Sequence, residues 1–385
     1  MRTIYFITRT FADPNTGKSC TLVRNAYVDY FKQYFHVTVV TPSYNSESVI
    51  NEDYIKINYV SKFVYPYMER IGLIEDYLDA WVDKTLDIVA ERINSDDIIF
   101  ATSGGELACI KLGSLLKERI GCKFIVNFRD PVDYSYVGNK KTCGFFHVNR
   151  ENAILKYLYN VDYVITSSDK FREILQEKYS FLKNKIMNNY FGYILEYESV
   201  ADHSEILRGR KAAGEKIRLV FGGSMNAPQG AEFFIHLLKK RSDIEIVYVG
   251  NPNKRIKKAA KMGNVIVLDP MIHSDYLRYM TENADIGLVS LATEPYKACF
   301  PSKIYEYVNL EIPILAALPD GDAKKVINQY GYGRAAAYGN IEELNDAFEY
   351  ILMHYDSNVK NIRKDKAKWS MKNRMKEVIN LLLEV

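Results

Sequence analysis

The chain has 385 residues, with 51 Lys and Arg against 48 Asp and Glu, 48% hydrophobic and 13% aromatic residues. This is a folded, near-neutral protein with length for two domains at roughly 100–200 residues each. A net charge of +3 gives no field that selects nucleic acid, and neither an arginine-rich arm nor a zinc-finger spacing is present. Cys20, Cys109, Cys122, Cys143 and Cys299 form no C-x-x-C pair and have no His partner at ligand spacing, which argues against a disulfide framework or a zinc site and for a reducing compartment.

The opening run Met1-Arg-Thr-Ile-Tyr-Phe-Ile is strand-like and too short for the apolar region of a secretion signal. No window reaches the ~18–20 apolar residues that a spanning helix needs. The expectation is a soluble, cytoplasmic chain, at most peripheral at the inner face of the plasma membrane.

Short runs of Ile, Val, Phe and Tyr recur between longer amphipathic stretches, the pattern of buried parallel strands joined by crossover helices. Strands are predicted at Thr3–Thr8, Val37–Val40, Ile55–Val60, Asp97–Thr102, Lys123–Asn127 and Asp162–Thr166, with helices at Asn25–Tyr34, Tyr77–Ile93 and Glu106–Ile120. The charged stretch Glu196–Lys216, with its Ala and Gly, reads as a linker. A second series follows, with strands at Ile217–Phe221, Ile244–Val249, Val265–Leu268, Asp285–Val289 and Pro313–Ala316 and helices at Gly230–Lys240, Ser274–Glu282 and Ser302–Val308. The tail from Asn361 spaces Ile362, Trp369, Met371, Met375, Val378, Ile379 and Leu382 as a packed helix. The predicted fold class is α/β: two Rossmann-like, doubly wound domains facing a cleft, at 1–200 and 201–360, with a terminal helix at 361–385 packing back toward the first.

Candidate chemistry gathers where strands end. Ala12-Asp-Pro-Asn-Thr-Gly17-Lys-Ser19 fits a P-loop only loosely. Its first glycine is Ala12 and Asp13 adds a repelling charge, so NTP hydrolysis is set aside. Gly17 still allows close approach of backbone to a ligand, with a plain turn as the alternative. Arg129-Asp130-Pro131 puts charges where a buried strand emerges, either as an ion pair or with Asp130 accepting hydrogen bonds from hydroxyls and Arg129 holding it ionised. In the second half, Phe221-Gly222-Gly223-Ser224 and Val249-Gly250-Asn251 both end strands in glycine, which lets a diphosphate approach backbone N–H groups. Pro301-Ser302-Lys303-Ile-Tyr-Glu306-Tyr307 starts a helix, with Ser302 as the expected N-cap. Lys303 and the free N–H groups suit an anion, and Glu306, one turn on, suits the vicinal hydroxyls of a ribose. A surface Lys–Glu pair is the plain alternative.

At these residues the sequence resembles the retaining glycosyltransferases of family 4, with the two-domain GT-B fold, in the branch whose donor helix reads Pro-Ser/Thr-Lys-x-x-Glu-Tyr. The likeness is densest from Leu219 to Ala317 and is carried earlier by Asn-Phe-Arg-Asp-Pro and Val-Asp-Tyr-Val-Ile-Thr-Ser-Ser. It implies transfer of a sugar from a nucleotide-diphosphate-sugar to an acceptor hydroxyl with retained configuration, without a metal or other cofactor. The nucleotide-sugar would be the co-substrate, a glycan or lipid-linked glycan the acceptor, and bacterial polysaccharide biosynthesis the context. It further implies that Glu306 holds the donor ribose, that Pro301, Ser302 and Lys303 line diphosphate and sugar, and that the backbone of Asp269, Met271 and Ile272 reads the base. Gly17 would lie beside the donor phosphates, and Arg129 with Asp130 would face sugar and acceptor. The likeness departs at Ala298, where the family has a glutamate, and at Ser224 and Gln229, where it commonly has phosphate-binding Arg and Lys.

A nucleotide-sugar epimerase on the same fold and a non-catalytic nucleotide-sugar-binding paralogue are the competing readings. Tyr59–Ile74 and Lys254–Lys261 read as a core segment and a solvated helix face, with a membrane carrying a lipid-linked acceptor as the alternative contact.

Overall fold

The computed structural model describes residues 2–11, 19–44, 46–132, 136–137, 140–195 and 202–385. Gly17, most of the loop around it and the first part of the expected linker (196–201) lie outside the described residues. Contacts divide the chain into unit 1, Met1–Tyr190 with Met375–Val385, and unit 2, Phe191–Arg374. These limits differ from 1–200, 201–360 and 361–385.

In unit 1 the strands are β1 (Thr3–Ile7), β2 (His36–Tyr44), β3 (Val49–Ile50), β4 (Tyr54–Tyr59), β5 (Ile98–Gly104), β6 (Lys123–Asp130), β7 (Tyr136–Val137), β8 (Lys140–Lys141), β9 (Tyr163–Thr166) and β10 (Ile186–Asn188). The main sheet has the order β10-β9-β6-β5-β1-β2-β4-β3, parallel except for β3 against β4, while β7 and β8 make a separate antiparallel pair. β5 is buried on both faces from Ile98 to Ser103, which is why it reads as an unbroken apolar run. Helix Asp79–Ala90 instead turns only Trp81, Val82, Thr85 and Val89 inward.

Unit 2 has β11 (Ile217–Gly222), β12 (Ile244–Val249), β13 (Val265–Leu268), β14 (Ile286–Ser290), β15 (Ile314–Leu318) and β16 (Gly333–Ala337). They are all parallel, in the order β13-β12-β11-β14-β15-β16. The order reverses between β11 and β14, and that break opens a crevice at the carboxyl ends of the strands. One side of the sheet closes over Phe221, Tyr248, Phe234, Leu237, Phe348 and Ile351.

Two expectations need correcting. The linker reading fails over its described part, because His203–Ala212 is a helix capped by Asp202, whose side chain accepts from Ser204 N, and His203, Ser204 and Leu207 are buried. Its charges occupy the outer face of a half-buried helix. The tail is not one helix either: Tyr355–Asp365 and Met371–Glu384 are separated by a short 3₁₀ turn at Lys366–Trp369, and Ser370 is extended.

A Cβ at Gly287, on β14, would lie 2.5 Å from the Tyr307 ring, whereas one at Gly209, within helix His203–Ala212, would meet nothing within 4 Å. Gly287→Ala is therefore expected to destabilise unit 2 by about 1–3 kcal/mol. Gly209→Ala should stabilise it by up to about 1 kcal/mol. Urea midpoints of the two variants check both.

Candidate functional site

In unit 2 the site is built at the reversal. Gly223 N donates to Val249 O at 2.9 Å and Gly250 N to Leu268 O at 3.0 Å, so the turns after β11, β12 and β13 are stacked edge to edge. Gly223 and Gly250 have φ of +99° and +135°. A Cβ on Gly250 would lie 2.7 Å from Gly223 O, and one on Gly222 would meet the Tyr276 ring at 2.3 Å. Backbone fills the space at Gly250 and the Tyr276 ring fills it at Gly222, while the positive φ of Gly223 and Gly250 is itself one that side chains rarely adopt. Asn253 braces the turn, donating through Nδ2 to Met225 O at 3.1 Å and Glu232 Oε2 at 2.9 Å. Around this floor Gly223, Ser224, Asn251, Asp269 and Ile272 are exposed and Met271 is half-buried. The glycine-ended strands and the 269–272 loop are thus brought together.

The helix after β14 supplies the charge. Pro301, with φ −62° and ψ 131°, is its N-cap, so Ser302 is the first helical residue and not the expected cap. Proline's fixed φ starts the helix, and Pro301 has no side-chain group to cap the first N–H groups, of which Ile304 N donates to Pro301 O at 3.1 Å. Lys303 Nζ lies 4.9 Å above the Phe221 ring and 3.5 Å from the position of a Cβ on Gly223. The surrounding protein strips water from this ammonium and holds its pKa below the ordinary lysine value, against the pull of Glu306. Glu306 does not pair with Lys303 as a surface ion pair. Its Oε1 is 3.1 Å from His273 Nε2, and both side chains are largely buried. Beneath them Tyr276 Oη and Tyr307 Oη are 3.2 Å apart, and Tyr307 donates to Leu288 O at 3.2 Å, fixing the two helices. Burial raises both phenols, so they remain neutral donors. Gln229 Oε1, Ser290 Oγ and Thr293 Oγ1 are buried without a hydrogen-bond partner among the described residues. An oxygen-rich ligand at this edge would satisfy such groups.

A second cluster lies at the carboxyl edge of unit 1. The pairing of β5 with β6 shifts at Ser103/Gly104, so Phe128 faces Ser103, Asp130 faces Gly104 and Arg129 is the extra residue. A bulge of this kind re-aims side chains at the end of a strand. Arg129 O accepts from Ser167 Oγ at 2.8 Å. Asp130 Oδ2 lies 3.8 Å from the position of a Cβ on Gly104, with Glu106 Oε2 at 3.6 Å and an Arg24 nitrogen at 3.7 Å. Arg9 reaches Glu106 at 3.4 Å and Arg24 reaches it at 3.9 Å. Burial raises the pKa of Asp130, opposed by Arg129, Arg9 and Arg24 and reinforced by Glu106.

His273 and Tyr276 in unit 2, and Arg9, Arg24 and Glu106 in unit 1, were not singled out from sequence, while Phe221 and Tyr307 stood in the strand-end and donor-helix motifs without a role of their own. The short motif Pro-Met-Ile-His before a helix start could have flagged His273. Nothing local marks the others. Ala298 is buried, Ser224 exposed and Gln229 half-buried.

No family model and no curated protein matches this sequence. Solved structures do match along its length. Sucrose-phosphate synthase from Thermosynechococcus elongatus aligns with a TM-score of 0.72 at 14% identity, over 100% of this chain and 99% of that one. The Anabaena protein HepE in complex with UDP gives 0.71 at 12% identity, over 100% of both. The chain has the GT-B fold. A glycosyltransferase from Rickettsia africae is similar too, with a TM-score of 0.66 at 14% identity, covering 100% of this chain and 98% of that one. At such identities the likeness is one of GT-B architecture, and the chemistry of this member rests on its own side chains.

The depressed Lys303 gives a prediction with a definite sign. Its folded pKa lies below its unfolded one, so folding carries a desolvation penalty at neutral pH that is relieved as pH rises through the folded value. Lys303→Met should raise the melting temperature of the unliganded protein at pH 7, and the gain should shrink toward the ordinary lysine pKa. Calorimetric melting curves across pH read it directly.

Proposed function

We propose that the chain is a retaining glycosyltransferase of family 4 that moves a sugar from a nucleotide-diphosphate-sugar to a hydroxyl of a glycan or lipid-linked glycan, without a metal. One observation carries the reading: at the strand-order reversal of unit 2, the glycine turns, the N-terminus of helix Ser302–Asn309, Lys303 and Glu306 meet at one edge. The fold is that in which HepE was solved with UDP and, at a TM-score of 0.69, with UDP-glucose.

In this reading unit 2 holds the donor. Glu306 accepts from the ribose hydroxyls, Lys303 and the helix N–H groups take the diphosphate, and the backbone at Asp269, Met271 and Ile272 reads the base. Gly222, Gly223, Ser224, Gly250 and Asn251 allow the phosphates to lie against the main chain, and Pro301 and Ser302 line the diphosphate and sugar. Breaking the anomeric C–O bond leaves its electron pair on the diphosphate, where Lys303 offsets the developing charge. The acceptor oxygen bonds to the anomeric carbon on the same face, and its proton passes to the departing phosphate oxygen. Asp130 and Arg129 orient a sugar or acceptor hydroxyl.

A panel of UDP, GDP, dTDP, ADP and CMP, with and without EDTA, tests the donor assignment by thermal shift. One nucleotide should stabilise the wild type whether or not chelator is present, by about 2.7 kcal/mol at a hundredfold excess over Kd. Glu306→Ala should weaken that nucleotide at least about tenfold while leaving the fold intact, the loss expected for a charge-assisted hydrogen bond of ~1.5–3 kcal/mol. Asp130→Asn should leave nucleotide affinity unchanged and lower transfer by about 10²-fold or more.

Ala298, Ser224 and Gln229, where the family commonly has charged residues, favour a second reading, a chain that binds a nucleotide-sugar without turning it over. Saturable nucleotide binding with neither transfer nor epimerised sugar would establish it, and epimerised sugar from donor alone would establish the epimerase.

A further inference from the structure

Among the described residues, large hydrophobic side chains stand exposed at nineteen positions, and nine of these fall within residues 60–73 and 145–159 of unit 1. The first segment leads into and past the short helix Tyr65–Arg70. In it Phe63 is fully exposed, Leu73 is 67% exposed, and Val60, Val64 and Tyr67 also face out. The second is the helix Gly144–Leu158 with its C-cap Tyr159. One face of that helix is core, carrying Phe146, Ala153, Ile154, Tyr157 and Leu158. The opposite face sets Phe145, Val148, Leu155 and Tyr159 in a line at spacings of three, seven and four residues, completed by Asn152. A helix that is apolar on both sides has a second surface to cover.

The two segments form one patch. Asn149 Nδ2 donates to Gly72 O, the Cys143 thiol donates to Arg70 O at 3.3 Å, and Arg150 pairs with the buried Glu69. A Cβ on Gly72 would come 3.0 Å from the Phe145 carbonyl. The charges beside the patch are mostly positive. Lys62 is 5.6 Å from the Tyr65 ring centre, Arg70 is 5.1 Å from that of Tyr67 and Lys156 is 4.8 Å from that of Tyr157. Lys178 adds a fourth cation, paired at 3.2 Å with Glu151, the one exposed carboxylate on helix Gly144–Leu158. Cations resting along aromatic rings at the margin of an apolar surface can keep their charged ends at headgroup level while the rings and aliphatic chains go deeper.

We propose that residues 60–73 and the outer stripe of helix Gly144–Leu158 form a docking surface for an anionic lipid bilayer. Charge complementarity selects this occupant. Two copies of the same face would bring like-charged margins together, whereas anionic headgroups neutralise them. Among the described residues no helix is long and apolar enough to cross a membrane, so the contact is peripheral. The basic run at Lys254–Lys261 has no part in it: helix Lys254–Ala259 turns Ile256 and Ala259 inward and carries no exposed large hydrophobic residue. The surface is independent of the donor site, so its failure would leave the transferase reading standing.

Co-sedimentation of the full chain, without nucleotide, tests it using vesicles of phosphatidylcholine alone and with about 30 mol% phosphatidylglycerol at low and high salt. The expected result is binding to the anionic vesicles that weakens with salt. Phe63→Ser with Leu73→Ser, and separately Phe145→Ser with Val148→Ser, should each reduce partitioning about tenfold or more at unchanged melting temperature. Lys62→Glu with Lys156→Glu should remove the preference for anionic lipid, and Lys254→Glu with Lys257→Glu should change nothing. No binding to anionic vesicles, equal binding by the serine variants, or a lipid-free dimer in light scattering that Val148→Ser with Leu155→Ser dissolves would each overturn the proposal.

Discussion

The carbonyl of Gly223 occupies the space in which a side chain at Gly250 would sit, and the Tyr276 ring occupies the space beside Gly222. These contacts bring the ends of β11 and β12 together as bare backbone. The edge left by the reversed strand order is therefore floored by main chain, and side chains reach it from helix starts. Lys303 does so from the helix after β14 and His273 from the helix after β13. The Tyr276–Tyr307 hydrogen bond locks those helices together. Lys303 gains its place over Phe221 at the expense of its own hydration, which is why its pKa is held below the ordinary lysine value.

Unit 1 reaches a comparable result through a defect in pairing. The bulge at Arg129 lets one strand end present two consecutive charged residues, and Glu106, held by the Gly104 N–H at 3.0 Å, draws Arg9 and Arg24 toward the same edge. Desolvation acts against the Asp130 carboxylate as it acts against the Lys303 ammonium. Each edge thus concentrates ionisable groups in partly dehydrated surroundings, which is where pKa values move furthest.

Much of this was legible in the sequence. The strands at Ile244–Val249 and Val265–Leu268 were placed to the residue because both are short runs of Ile, Val and Leu with few competing readings. β3 and β10, of two and three residues, carry too little pattern to detect. The helix at His203–Ala212 was hidden because its charged outer face dominates its composition, and a cap by Asp202 is a weak signal beside so many charges. At the site, residue types at strand ends pointed to Gly222, Gly250, Lys303 and Glu306. Partners could not be read: Glu306 meets His273, 33 positions away, through two separate crossovers that no local spacing encodes.

The chain changes unit twice, near residue 191 and near residue 374, and the two passages are hydrogen-bonded side by side. Tyr193 N donates to Trp369 O and Met371 N to Tyr193 O, both at 2.9 Å, while Gly192 leaves room for the backbone at 369–371. Unit 2 is continuous in sequence, but unit 1 is finished by a segment that begins at Met375 and buries Met375, Val378, Ile379 and Leu382. During synthesis the domain begun first is thus completed last. Every residue of unit 2 is synthesised before unit 1 receives the hydrophobic side chains that close it, so until then unit 1 lacks the partners that bury part of its core.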